Sequence, residues 1–158
     1  MGIDPGSTRI GYGIIKMNGN NLFLINYGVI EIKRKETSQL ILEAAERISK
    51  LIKKYRPAVI GIEKIYFSKN IKTGIEVSQA RGAIILAIAK QKIPIKEFSP
   101  SGIKLAVAGY GLADKKAVAK MTARILNIEK IKGFDDASDA LAIAITAANK
   151  NPLDNYNN

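Results

Sequence analysis

Met1-Gly2-Ile3-Asp4-Pro5-Gly6-Ser7-Thr8-Arg9-Ile10-Gly11-Tyr12-Gly13-Ile14-Ile15-Lys16 opens the chain and sets its first strand signal. It is strand-like, residues 1–4 continuing through 11–16, and it carries a carboxylate, Asp4, within the strand pattern. Two further strand-like runs follow, at 22–27 and 29–33. Asn18-Gly19-Asn20-Asn21 lies between the first two runs, and Asn-Gly there predicts a hairpin because both residues tolerate positive φ. The chain therefore begins in antiparallel sheet.

After residue 33 the apolar period changes. Leu40, Ile41, Ala44, Ala45, Ile48, Leu51, Ile52 and Tyr55 recur at helical spacing behind Thr37 or Ser38 as cap, and Pro57 ends the helix. Residues 58–63 read as a buried strand closed by Glu63, followed by a polar loop, 64–72, carrying Tyr66 and Phe67. A helix at 73–90 and a short strand at 93–98 come next. Ser99-Pro100 is a cap and first-turn signal for a helix at 101–107, broken by Gly109-Tyr110-Gly111. Asp114 can cap a helix to about 126, and the last helix spans 136–149. The order β-β-β-α-β-α-β-α-α-α predicts an α/β fold with a mixed five-stranded sheet flanked by helices. One domain, residues 1–150, is expected, with 151–158 as a polar C-terminal tail.

Charge and composition narrow the chemistry. The 158 residues hold 25 Lys and Arg against 14 Asp and Glu, a net charge of +11, which suits a polyanionic partner such as nucleic acid. A lysine-rich proteome is the plain alternative. With no Cys and no His, thiolate nucleophiles, disulfides, Ser-His arrangements and His- or Cys-held metals are all excluded. No apolar run approaches the roughly 18 residues of a membrane span, and no leader-like segment precedes the first strand, so a cytoplasmic location is expected.

The remaining chemistry rests on carboxylates. Asp4 lies within the first strand-like run, Glu63 closes another, and Asp136 and Asp139 stand three apart, on one face of a helix. Oxygen donors of this kind suit a hard divalent ion. Taken alone, Asp136 and Asp139 also suit a helix N-terminus, and Asp4 a turn before Pro5. Glu63 is harder to explain structurally, because a carboxylate ending a buried strand needs a partner or a metal.

These elements and acids resemble the RuvC family of crossover junction endodeoxyribonucleases. The resemblance runs through Gly2-Ile3-Asp4-Pro5-Gly6-Ser7, Gly11-Tyr12-Gly13, Ile62-Glu63 with Lys69-Asn70, and Gln79-Ala80-Arg81-Gly82. It continues with Val107-Ala108-Gly109-Tyr110-Gly111 and Lys115, then 136–146, in order along nearly the whole chain. The family usually has a few more residues before the position of Gly2, and Asp135 adds an acid beside Asp136. Aligning Asp139-Ala140-Leu141-Ala142-Ile143-Ala144 places the pair at Asp136 and Asp139.

The resemblance implies a ribonuclease H-like fold and a Holliday junction resolvase of homologous recombination and DNA repair. Such an enzyme nicks two opposed strands of a four-way junction, leaving 5′-phosphate and 3′-hydroxyl ends. Asp4, Glu63, Asp136 and Asp139 would be catalytic and hold two Mg²⁺, with Mn²⁺ as substitute. Tyr66, Phe67, Lys69, Asn70, Arg81, Lys104 and Lys115 would contact DNA, Tyr66 by stacking, and Arg81 is also a candidate to orient the acids. Lys115 beside the cap Asp114 is a cation at a helix start, where it is electrostatically unfavoured, and that mild misplacement favours a functional role for it. A homodimer is implied, with Ile75, Ala83, Leu86 and Ala87 as its helix face, although that face can equally pack on the sheet. A branch-migration motor and its junction-binding protein (RuvA/RuvB-type) are the implied partners. Two other readings are a related nuclease acting on RNA or RNA–DNA hybrids, and a junction-binding module without catalysis. A sugar-kinase-like ATPase would need a second domain.

Overall fold

In the computed structural model, which describes residues 1–33, 36–66 and 71–149, the opening run is two strands rather than one. β1 (Gly2–Asp4) and β2 (Arg9–Asn18) pair antiparallel, with Gly2 opposite Gly13, Ile3 opposite Tyr12 and Asp4 opposite Gly11. Pro5 lacks the N–H to continue the ladder, so the strand stops there. Gly6 then makes the return possible, because a Cβ on it would lie 2.1 Å from the carbonyl oxygen of Arg9.

The runs at 22–27 and 29–33, expected to be separate, merge into β3 (Asn21–Glu31), paired antiparallel with β2. They join through Gly28, where a Cβ would meet the Tyr12 hydroxyl at 2.9 Å; the glycine admits a ring rather than breaking the strand. Ile14 pairs with Asn26 and Ile15 with Leu24, leaving Ile25 as an extra residue in a bulge. One run divided and two fused leave the expected five strands.

β4 (Ile60–Glu63) runs parallel to β1, and β5 (Ile95–Phe98) parallel to β4, in the order β3-β2-β1-β4-β5. The mixed sheet flanked by helices is as expected. α1 (Thr37–Tyr55) buries Leu40, Ala44, Ile48 and Ile52, one residue per turn, and packs against α2 (Ile71–Ala89). Neither Thr37 nor Ser38 caps α1: Glu36 holds that position and makes no side-chain cap bond. Arg56, at φ 45°, closes the other end by donating its N–H to the Ile52 carbonyl, just ahead of Pro57. Ile3, Ile10, Ile62, Ile84 and Ile88 fill the core on this side of the sheet.

The opposite side carries α3 (Pro100–Ala108), α4 (Lys115–Ile125) and α5 (Asp135–Ala148). Ser99 and Asp114 cap α3 and α4 as read from sequence, accepting the N–H of Gly102 at 3.1 Å and of Ala117 at 2.7 Å. Ile103, Val118, Leu141 and Ile143 make this second core. From residue 140 to 147 α5 is buried on all sides, between the sheet and the two shorter helices, which explains its alanine-rich and almost wholly apolar sequence there. No helix among the described residues is long and apolar enough to cross a membrane.

Candidate active site

The site begins with the parallel pairing of β1 and β4. Gly2 faces Gly61 and Ile3 faces Ile62, so Asp4 and Glu63 are the next residues along neighbouring strands. Period-two alternation buries Ile3 and Ile62 in the α1/α2 core and turns Gly2, Asp4, Gly61 and Glu63 to the α5 side.

Glycine then sets how closely α5 can lie. A Cβ on Gly2 would stand 2.1 Å from the Ala140 carbonyl oxygen, and one on Gly13 would stand 2.9 Å from Leu141 Cα. One on Gly61 would meet the Ile143 and Ala147 side chains at 2.9 Å. At the N-terminal end, a Cβ on Gly11 would be 2.0 Å from the Asp136 carbonyl oxygen. Gly11 is also the β-partner of Asp4. The bare glycine floor therefore brings the first two turns of α5, with Asp136 and Asp139, beside Asp4.

The electrostatics record that convergence. Asp4 lies mostly out of solvent, and its carboxyl is pushed up to about 8, first by burial and then by the negative charges of Asp139, Glu63 and Asp136. Lys115 opposes the shift. Glu63 is raised as well, by burial and then Asp139, against Lys115 and Lys104. Lys115 is itself raised, chiefly by Asp139.

Two cations hold the outer acids. Arg9 Nε lies 3.2 Å from Asp136 Oδ2, and Lys115 Nζ lies 3.2 Å from Asp139 Oδ2. Among the described residues neither Asp4 nor Glu63 has a cation at ion-pair distance. Nor do any three of the described acids lie close enough to share one ion as they stand, with Asp136 and Asp139 engaged by Arg9 and Lys115. The donor set nevertheless fits a hard divalent ion. Three carboxylates around a largely buried fourth, whose burial and their repulsion push it up to about 8, need added positive charge for all four to ionise together.

A cleft of about 280 Å³ adjoins the acids, lined by Glu63, Lys104, Lys115 and Asp139 with Ile103 and Val118 as apolar walls. Lys104 enters from α3, and Lys115 is the first residue of α4, immediately after the Asp114 cap. The sequence-level misplacement of Lys115 is thereby explained: Asp139 is the anion it faces.

Arg81 lies at the other side of Glu63. Its Nε donates to the Glu63 backbone carbonyl at 3.0 Å, and its Nη2 pairs with Glu97 on β5. With its side chain only 17% exposed, it is placed to hold the end of β4 rather than to reach outward. Tyr66 is 63% exposed beside Arg81 and Ser78. Phe67, Lys69, Asn70 and the tail at 151–158 lie outside the described residues. Of the four α2 residues read as one face, Ile75 and Leu86 are exposed, whereas Ala83 and Ala87 are buried against the rest of the chain. Gly82 falls on the exposed stripe, where a Cβ would meet nothing within 4 Å.

Arg9 and Phe134 were not picked out from sequence. Arg9 shares the face of Gly11 and Gly13 by strand alternation, and its guanidinium lies 4.5 Å from the centroid of the Phe134 ring. The available signal was that alternation, which becomes informative only once α5 is known to lie over the two glycines.

A family model described as "Crossover junction endodeoxyribonuclease RuvC" matches residues 1–147. The crossover junction endodeoxyribonuclease RuvC of Petrotoga mobilis is 45% identical over 150 residues, covering 94% of this chain and 92% of its own length. That of Thermosipho melanesiensis is 42% identical over 145 residues, covering 91% and 92%. Among solved structures, RuvC of Thermus thermophilus in complex with Holliday junction substrate superposes with a TM-score of 0.85 at 28% identity, covering 92% of this chain and 89% of that one.

Proposed function

The chain belongs to the RuvC family of crossover junction endodeoxyribonucleases, with their ribonuclease H-like fold, and we propose that its four converging acids are the catalytic centre with which it resolves four-way DNA junctions. The observation that carries this reading is the buried Asp4 carboxyl, raised to about 8 among Glu63, Asp136 and Asp139, beside a lysine-lined cleft.

Asp4, Glu63, Asp136 and Asp139 would together hold two divalent ions, Mg²⁺ with Mn²⁺ as substitute. Bound there, such ions would supply an activated water and neutralise charge on the scissile phosphate. The chain's own groups do the rest. Lys104 and Lys115 face the same cleft and can offset the charge that develops on the phosphate oxygens. Arg81 fixes the backbone of Glu63 through its carbonyl. Tyr66, exposed beside Arg81, offers a stacking surface to bases opened at the junction. Phe67, Lys69 and Asn70, next along the sequence, would contact DNA as well.

The net charge of +11 supplies affinity for the phosphate backbone, falling steeply with salt. Two nicks of like polarity call for two sites related by a two-fold axis, so the working form is a homodimer, with Ile75, Gly82 and Leu86 as its apolar stripe. Its setting is cytoplasmic DNA recombination and repair, beside a RuvA/RuvB-type motor and junction-binding protein.

The test is cleavage of a labelled synthetic four-way junction beside a linear duplex and an RNA–DNA hybrid, with Mg²⁺ and with EDTA. Paired nicks in the junction alone, absent in EDTA, are expected. Cleavage of the hybrid instead would move the same centre to RNA–DNA chemistry. Junction binding without cleavage would make the chain a binding module.

A further inference from the structure

The two cations at the acid cluster are not alike. Lys115 is a flexible point charge on Asp139, entering from a helix start. Arg9 is held twice: its Nε contacts Asp136 Oδ2 at 3.2 Å, and its guanidinium lies over the Phe134 ring at 4.5 Å. Its side chain is still 44% exposed. A guanidinium that contacts one carboxylate through Nε has four further N–H donors on its Nη nitrogens, in a plane that matches phosphate oxygens. The ring contact is independent of the carboxylate, so loss of Asp136 as partner leaves the arginine anchored.

Building on the assignment of the four acids as a metal centre, we propose that Arg9 exchanges partners during the working cycle. In the DNA-free, ion-free chain it neutralises Asp136. When that carboxylate turns to a divalent ion, the guanidinium is released but stays on Phe134 and clasps a backbone phosphate of the bound strand. Arg9 is then both a competitor for the fourth acid and a DNA-binding residue that becomes available only in the loaded site. The exchange moves charge in the sense binding requires, because the cation leaves the acids as metal arrives and meets the phosphate as DNA arrives.

The experiment compares the full-length wild type with Arg9→Gln and Arg9→Lys, after thermal melts confirm folding, with Asp4→Asn as control. Calorimetric titration with Mn²⁺ alone should show tighter binding to Arg9→Gln than to wild type, because the competing cation is gone. Anisotropy of a labelled four-way junction should show near-equal affinity of the two in EDTA. In Ca²⁺, used as a second oxygen-ligated ion, Arg9→Gln should bind the junction about tenfold or more weakly, the scale of a hydrogen bond to a charged group. Its log–log salt slope should drop by about one phosphate. Arg9→Lys, keeping charge but not the planar fork, should fall between.

Equal or weaker Mn²⁺ binding by Arg9→Gln would overturn the exchange and leave Arg9 as a support for Asp136. Equal loss of junction affinity in EDTA and Ca²⁺ would overturn it too, as a constant phosphate contact. No Mn²⁺ binding by wild type, or equal binding by Asp4→Asn, would overturn the acid-centre assignment itself.

Discussion

Gly11→Ala adds one methyl group, and the structure says where it must go. The new Cβ would lie 2.0 Å from the carbonyl oxygen of Asp136 and 2.5 Å from its carbonyl carbon, where ordinary contact begins at 3.4 Å. Neither neighbour is a flexible side-chain tip: both belong to the backbone of the first turn of α5. The helix end therefore has to retreat by roughly 1 Å or more, or the β1–β2 pair must bend away from it. Overpacking of this kind costs about 1–3 kcal/mol, which for a chain of this size lowers Tm by about 2–12 °C. The catalytic effect should be larger than the stability effect. The retreat carries Asp136 and Asp139 away from Asp4, and a displacement of about 1 Å at a reacting centre can cost about 100-fold in rate. The assay is single-turnover cleavage of a labelled four-way junction in Mg²⁺, well below the variant's melting temperature, with junction affinity measured in parallel. A rate within about threefold of wild type, in a folded protein, would refute the claim that the glycine floor sets the acids.

Five further outcomes follow from the same geometry. Asp4→Asn should abolish cleavage and retain junction binding; loss of binding would make Asp4 a structural residue. In EDTA, the Asp4 carboxyl is held at about 8 against an ordinary 3.8, so the folded chain favours its protonated form. Its contribution to stability is then full below about pH 4 and lost as pH rises towards 8, and Asp4→Asn should flatten that part of the Tm–pH profile. By the same shift, cleavage at limiting Mg²⁺ should climb with pH towards about 8 as Asp4 ionises, and a rate already flat from pH 6 would contradict it. Arg81→Met should cost about 1–3 kcal/mol by orphaning the Glu63 carbonyl and Glu97, and lower kcat more than junction affinity; the reverse ordering would make Arg81 a DNA contact. Tyr66→Ala should slow junction cleavage more than it weakens linear-duplex binding, whereas equal effects would argue against stacking at the junction.

Strand and helix identities were legible wherever a local cause controls them. Ser99 and Asp114 cap the helices they were read to cap, since a side-chain oxygen meeting an N–H three residues on needs nothing distant. The opening strands are less legible because their boundaries depend on partners. Residues 1–16 hold a turn that Pro5 and Gly6 make possible, and Gly28 looks like a break until Tyr12 is seen beside it. Ala83 and Ala87 show the same dependence. Helical spacing groups them with Ile75 and Leu86, yet only packing reveals which part of that broad apolar face the chain itself covers.

Which chemistry is possible was settled by composition and motif: without Cys or His, and with Asp4, Glu63, Asp136 and Asp139 in family order, oxygen ligands were the only donors left. Residue types and near-neighbour spacing are properties of the chain alone. That Asp4 lies within electrostatic reach of acids 132 and 135 positions away was implied only by resemblance, and Arg9 at Asp136 was not implied at all. Both depend on the distance between α5 and the sheet. That distance is decided by four glycines on three strands, whose missing side chains matter only once the helix has come to rest on them.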